Sequence, residues 1–112
     1  MINRVVIVGR LTKDVEVRHT TTGKAVAQFT VACDRKGKAD FINCIAWNQI
    51  GEALAKNKHK GDLIGVAGHL QTRSYEKDGR TVYVTEVLAD EIQYMGGLSE
   101  LGREIPSEEL PF

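Results

Sequence analysis

Phe41 and Trp47 stand six residues apart in the run FINCIAW, residues 41–47. In an extended strand alternate side chains share a face, so the two aromatics project to one side together with Asn43 and Ile45. The other parity, Ile42, Cys44 and Ala46, is smaller, wholly apolar and suited to a core. A Phe and a Trp on the outer face of a strand can stack on nucleobases, at roughly 1–3 kcal/mol per base and with little regard to base identity. The opposite arrangement would leave Ile, Cys and Ala as a solvent face, which is chemically odd. Tyr75 follows Arg73 and directly precedes the turn Glu76-Lys77-Asp78-Gly79. An aromatic among cations on a hairpin suits stacking against a single strand; the alternative is an aromatic pair across the hairpin. Tyr83 lies on the returning strand.

Cations accompany these aromatics. Arg35 and Lys38 belong to a charged loop with a central glycine, Asp34–Asp40 (DRKGKAD), and Arg4, Arg10 and Arg73 lie on strands. Together they could line a groove that tracks phosphates, although each taken alone also suits an ordinary solvated surface. The formal net charge of the 112 residues is zero, with 15 Lys and Arg against 15 Asp and Glu. That zero hides an asymmetry. Residues 96–112 hold four glutamates and one arginine, a net charge of −3, which leaves +3 on residues 1–95. A basic body with an acidic tail is the charge distribution of a chain that handles a polyanion and also offers a protein ligand. The tail ends in Ser107-Glu108-Glu109-Leu110-Pro111-Phe112. Two acids ahead of an apolar end and a carboxylate read as a short linear ligand for a basic-rimmed apolar pocket; a frayed end is the alternative.

Enzymatic chemistry finds little support. Gly23-Lys24 is followed by Ala25, and Arg18 stands where the first glycine of a P-loop belongs. His19, His59 and His69 with Cys33 and Cys44 show no metal-ligand spacing. No Gly-x-Ser-x-Gly elbow occurs. The expectation is a non-enzyme with no metal and no cofactor. A small nuclease using Asp90 and Glu91 is the catalytic alternative, and the pair reads more simply as a solvated strand end. An OB-fold protein–protein adaptor is the non-catalytic alternative.

Elements that place these residues follow from the hydrophobic pattern. The length is that of one domain. No apolar run approaches the roughly 20 residues needed to span a bilayer, and Val5–Val8 is too short for a signal core, so a soluble, unexported chain is expected. Ile2–Leu11 reads as a strand with a bulge or bend at Gly9, continued by Val15–His19. Val5–Val8 is apolar on both faces, as in a strand covered on both sides. Lys24–Cys33 places Ala25, Ala27, Phe29, Val31 and Cys33 on one parity, and Phe41–Trp47 is a third strand. The period then turns helical, with Ile50, Ala53, Leu54 and Asn57 as the stripe, Asn48 as N-cap and Gly61 as the stop. Asp62–Tyr75, bent at Gly65 or Gly68, and Arg80–Tyr94 are strands joined through an Asp-Gly hairpin turn. The expected fold is all-β: a five-stranded OB-fold barrel with one short helix between strands three and four. Residues 1–95 form this domain, and 96–112 a flexible acidic tail. Cys33 and Cys44 are expected as free thiols.

With these residues in place, the sequence closely resembles the bacterial-type single-stranded DNA-binding protein family. The matching stretches are MINRVVIVGRL (1–11), TKDVEVR (12–18), ADFINCIAW (39–47), Lys60-Gly61, LQTRSY (70–75) and VYVTEVLAD (82–90). The resemblance implies an OB barrel, commonly a homotetramer, that binds single-stranded DNA without sequence preference, catalysis or cofactor. It implies stacking at Phe41, Trp47 and Tyr75, and phosphate contacts at Arg4, Lys60 and Arg73. It also implies that the tip Glu108–Phe112 recruits replication, recombination and repair proteins, and that the chain works in the bacterial cytoplasm, at the nucleoid or in a phage-infected cell. Set against that family, a short form is expected. Asp34–Asp40 is shorter than usual and lacks an aromatic often found there, and the linker before the tip is only about Gly96–Pro106.

Overall fold

Alternating side chains generate most of the strands seen in the computed structural model, which describes residues 1–95. The order is β1 (Val5–Leu11), β2 (Glu16–His19), β3 (Ala25–Arg35), β4 (Lys38–Trp47), α1 (Asn48–Asn57), β5 (Leu63–Lys77) and β6 (Arg80–Tyr94). β1 and β2 share one partner. Arg10 and Leu11 pair with Ala32 and Val31 of β3, and Glu16–His19 pair with Gln28–Ala25 further along it. The Thr12 N–H, donating to the Thr30 carbonyl at 3.1 Å, bridges the gap. The expected continuation of the first strand is therefore two segments along one edge. Counted separately, they place the helix after the fourth segment.

The pairings run in a closed circuit, β1–β5–β6–β4–β3 and back to β1. Every pair is antiparallel except β4–β6, where Cys44 and Ile45 lie parallel to Val87 and Leu88. This circuit, with one short helix, is the OB arrangement expected from the sequence. Its interior is filled by Leu11, Phe29, Val31, Cys44, Ala46, Leu54, Ile64, Val66, Val87 and Ala89. The inward parities of β3 and β4 are those the alternation predicts.

Glycines set the bends. A Cβ on Gly68 would lie 2.0 Å from the Leu88 carbonyl oxygen, and the β5–β6 register shifts between Ala67 and Gly68. Of the two glycines predicted to bend β5, Gly68 is the one at the irregularity. At Gly9 a Cβ would come 2.3 Å from the Ala32 oxygen, so this residue lets β1 cross close over β3.

Several local expectations are corrected. Asp34–Asp40 is not a seven-residue loop. Both strands run into it, Arg35 pairs with Lys38, and only Lys36 and Gly37 turn, with φ of 47° and 84°. Asp78 and Gly79 do the same at 52° and 76°. Positive φ at both central residues is the twist that a tight hairpin demands. Asn48 does not cap α1. The capping position is Trp47, in extended conformation and without a side-chain bond, while Asn48 sits at φ 52°. The buried side of α1 carries Gly51 and Leu54, with Ile50 half-buried, whereas Ala53 and Asn57 are exposed. A glycine inside a helix costs about 1 kcal/mol against alanine, yet at Gly51 a Cβ would come within 2.7 Å of the Ala27 Cβ. The glycine is what allows the helix to lie against the barrel. The helix closes at Lys58, whose N–H reaches the Leu54 carbonyl at 2.9 Å. Gly61, at φ 89°, belongs to the turn into β5, where the His59 N–H donates to the Asp62 carboxylate at 2.7 Å.

Candidate nucleic-acid interface

β4 delivers Phe41 and Trp47 to the outside of the barrel because Ile42, Cys44 and Ala46 take the inside. Phe41 is 66% exposed. Trp47, at the junction of β4 and α1, is half-buried beside its register partner Val26. Asn43 is exposed and its Oδ1 accepts a hydrogen bond from the Thr30 hydroxyl at 3.1 Å. Ile45 departs from the expected outer row and is buried. It lies in the middle of the sheet, with Gln28 opposite on β3 and Leu88 on β6.

Register extends this face over neighbouring strands. Ala32 is opposite both Phe41 and Arg10, so Arg10 and Phe41 flank it on one side of β1–β3–β4. The Arg10 Nη1 also donates to the Gly61 carbonyl at 2.9 Å, which ties its side chain to the turn after α1. On β5, Arg73 lies opposite Val84 and Tyr75 opposite Val82. Tyr75 is 42% exposed, and the Arg73 guanidinium sits over its ring at 5.8 Å from the centroid, a cation–π distance. No aromatic faces Tyr75 across the hairpin. Tyr83 is opposite Ser74 instead, on the other side of the ribbon, and is 80% exposed.

A groove of about 230 Å³ runs between these strands. Gln28, Thr30 and Asn43 line one side, Arg73, Val84 and Glu86 the other. Glu86 was not singled out in the sequence. It is 4% exposed, and its Oε1 accepts from the Arg73 Nε at 2.7 Å. That bond and the carboxylate's charge raise the already high pKa of Arg73, so the guanidinium stays charged. In sequence, Glu86 shares its parity with Val82, Val84 and Leu88, and that apolar row is the signal that could have found it.

The remaining cations divide. Arg4 precedes β1 and is exposed. Next to it, the Asn3 side chain grips the Leu70 backbone, accepting from its N–H at 2.9 Å and donating to its carbonyl at 3.0 Å. Lys60 is exposed and its N–H is held by the Asp14 carboxylate at 2.8 Å. Arg35 is forked onto Asp40, at 2.9 and 3.3 Å. Strand alternation puts Arg35 and Lys38 on the side of the β3–β4 ribbon opposite Phe41, so they do not join its face. Asp90 is 3.3 Å from the His69 Nδ1, whereas Glu91 borders a separate groove beside Val6 and Val8. Among the described residues no helix is long and apolar enough to cross a membrane. The predicted flexible tail and its tip, Glu108, Glu109, Leu110, Pro111 and Phe112, lie outside the described residues.

The sequence of this chain has relatives among known proteins. A single-stranded DNA-binding protein of Oceanobacillus iheyensis is 50% identical over 103 residues, covering 85% of this chain and 64% of that protein. One of Streptococcus pyogenes is 53% identical over 103 residues, covering 85% and 63%. Single-stranded DNA-binding protein 1 of Lactococcus lactis is 49% identical over 112 residues, covering 93% and 75%. The chain thus spans slightly less than two thirds of the length of the first two relatives. Residues 2–95, the whole barrel, match the single-strand binding protein family, and the chain belongs to that family.

Proposed function

We propose that this chain binds single-stranded DNA without sequence preference and without catalysing a reaction. The observation that carries the reading is the exposure of Phe41 and Tyr75 on the outer side of the barrel strands, with Arg73 packed over the Tyr75 ring. Exposed aromatics next to guanidinium groups serve stacked bases and phosphates together. Phe41, Trp47 and Tyr75 act as stacking platforms, and Arg4, Arg10, Lys60 and Arg73 meet phosphates. Arg35 and Lys38 would serve a strand passing around the β3–β4 hairpin. Binding single strands in preference to duplex shifts the equilibrium between them, which removes hairpins without work input.

In the wider reading the protein acts in bacterial replication, recombination and repair, at the nucleoid or on phage DNA in an infected cell. The tip Glu108–Phe112 recruits partner proteins of that machinery. The working form is a homotetramer. Val6, 69% exposed, Val8 and Met95 border an apolar groove on β1 and β5 that further copies would cover. Titration with a dT oligonucleotide tests the core of the proposal through saturable quenching of Trp47 fluorescence, with light scattering giving the mass of free and bound forms. Absence of quenching and of any mass change would favour a protein–protein adaptor instead.

A further inference from the structure

Glu86 is a carboxylate placed where a carboxylate is least expected, almost fully buried in the wall of a groove proposed to receive a polyanion. Burying an ion costs several kcal/mol, and a pair with one arginine seldom recovers that as stability. The placement calls for another explanation, and the geometry of Arg73 supplies one. Its Nε donates to Glu86 Oε1 at 2.7 Å, while the guanidinium carbon sits 5.8 Å from the centre of the Tyr75 ring. A guanidinium has five N–H donors in a rigid plane. One is committed to Glu86, and the Tyr75 ring lies within cation–π reach of the group. The arginine side chain is still 42% exposed. An arginine without these two restraints would be free to swing through many rotamers and would lose that freedom on binding.

We infer that Glu86 is a positioning residue: it locks the Arg73 guanidinium against Tyr75 so that the remaining N–H groups face a phosphate of the bound strand. This deepens the single-strand reading and rests on it. Its sharp consequence runs against simple electrostatics. Taking a negative charge out of a DNA-binding groove should tighten binding; if Glu86 positions Arg73, it weakens binding.

The test measures affinity for a dT oligonucleotide across a salt series in the full chain and in Glu86→Ala, Glu86→Gln, Arg73→Ala, Arg73→Lys and the Arg73→Ala/Glu86→Ala double variant. Glu86→Ala should weaken binding about tenfold, the scale of one charge-assisted contact. Its log–log salt slope should become shallower by about 0.7, as in Arg73→Ala, because the same phosphate contact is lost. Glu86→Gln keeps an acceptor for Nε and should remain within about twofold of the parent. In the Arg73→Ala background, loss of Glu86 should cost nothing further. If Glu86→Ala does not fold, Arg73→Lys decides: it keeps the charge but not the planar fork, and should bind nearly as weakly as Arg73→Ala. Parental affinity in Glu86→Ala or in Arg73→Lys would overturn the inference, as would an undiminished loss from Glu86→Ala when Arg73 is already gone. Failure of the parent chain itself to bind dT would overturn the single-strand reading and this inference with it.

Discussion

Gly51 of α1 meets the backbone of Ala46 so closely that a Cβ on it would stand 2.6 Å from the Ala46 carbonyl oxygen. The helix that follows Trp47 can fold back on the barrel only because this position has no side chain. In an isolated helix Gly→Ala gains about 1 kcal/mol. Here the added methyl meets backbone, which cannot rotate aside, and overpacking costs about 1–3 kcal/mol. Gly51→Ala should therefore lower the thermal midpoint. An unchanged or raised midpoint would show that α1 can lift from the sheet at no cost.

Phe41, Trp47 and Tyr75 differ in exposure, and this orders the expected effects of replacing them. Each Ala variant should lose roughly 1–3 kcal/mol of affinity for dT oligomers. Phe41 and Tyr75 project from the barrel and should leave the thermal midpoint nearly unchanged. Trp47 is half-buried at the start of α1, so Trp47→Ala should lower both affinity and stability. Parental dT affinity in all three variants would remove the stacking face from the site.

How far these placements were legible depended on whether a residue's neighbours are local. Strand alternation suffices to turn Cys44 and Ala46 inward and Phe41 outward, because that choice is made within one strand. The Asp78-Gly79 turn was legible for the same reason. Lys36-Gly37 was not, because the four charged residues flanking it, Asp34, Arg35, Lys38 and Asp40, resemble a loop, and the type of turn depends on how far β3 and β4 stay paired. The buried stripe of α1 was misjudged at Ala53 and Asn57. The period was correct, but the side that faces the barrel is fixed by the contact of Gly51 with Ala27 and Ala46, two residues on other elements. Glu86 and Arg73 were unreadable as a pair because they meet only through the β5–β6 register.

Arg4 and Arg35 provide a contrast in charge. Arg4 lies exposed beside β1, whereas Arg35 is forked onto Asp40 on the side of its ribbon away from Phe41. On a single strand each neutralised phosphate contributes about 0.7 to the log–log salt slope. Arg4→Ala should make that slope shallower by about this amount, and Arg35→Ala by clearly less. Equal effects would mean that the DNA wraps around the β3–β4 hairpin and that the Asp40 pair opens on binding.

Cys44 should make the fold sensitive to alkali. The thiol is buried among core side chains, and burial first, then the charges of Cys33 and Glu86, push its pKa from 9.0 up to about 12. Cys33, half-buried on β3, is raised as well, by desolvation and by Asp40 and Asp34. A raised pKa on an acid means that the folded state holds its proton more tightly than the unfolded chain. Below pH 9 both states are protonated, and the contribution of Cys44 to stability is complete. Between pH 9 and about 12 the unfolded chain ionises while the folded one does not, so stability is lost as pH rises through that window. The contribution of Cys44 has to be isolated by difference. Cys44→Ala removes both the thiol's packing and its proton. At pH 8 the variant should be less stable than the parent by the cost of a small cavity. Raising the pH to about 10.5 should narrow that gap, at up to about 1.4 kcal/mol per pH unit, because only the parent has an unfolded thiolate at residue 44 to gain. Denaturant midpoints of the two proteins at pH 8, 9, 10 and 10.5 measure this directly. A gap that stays constant with pH would mean that Cys44 ionises as readily in the barrel as in the unfolded chain, and that the core around Phe29 and Val87 is open to water.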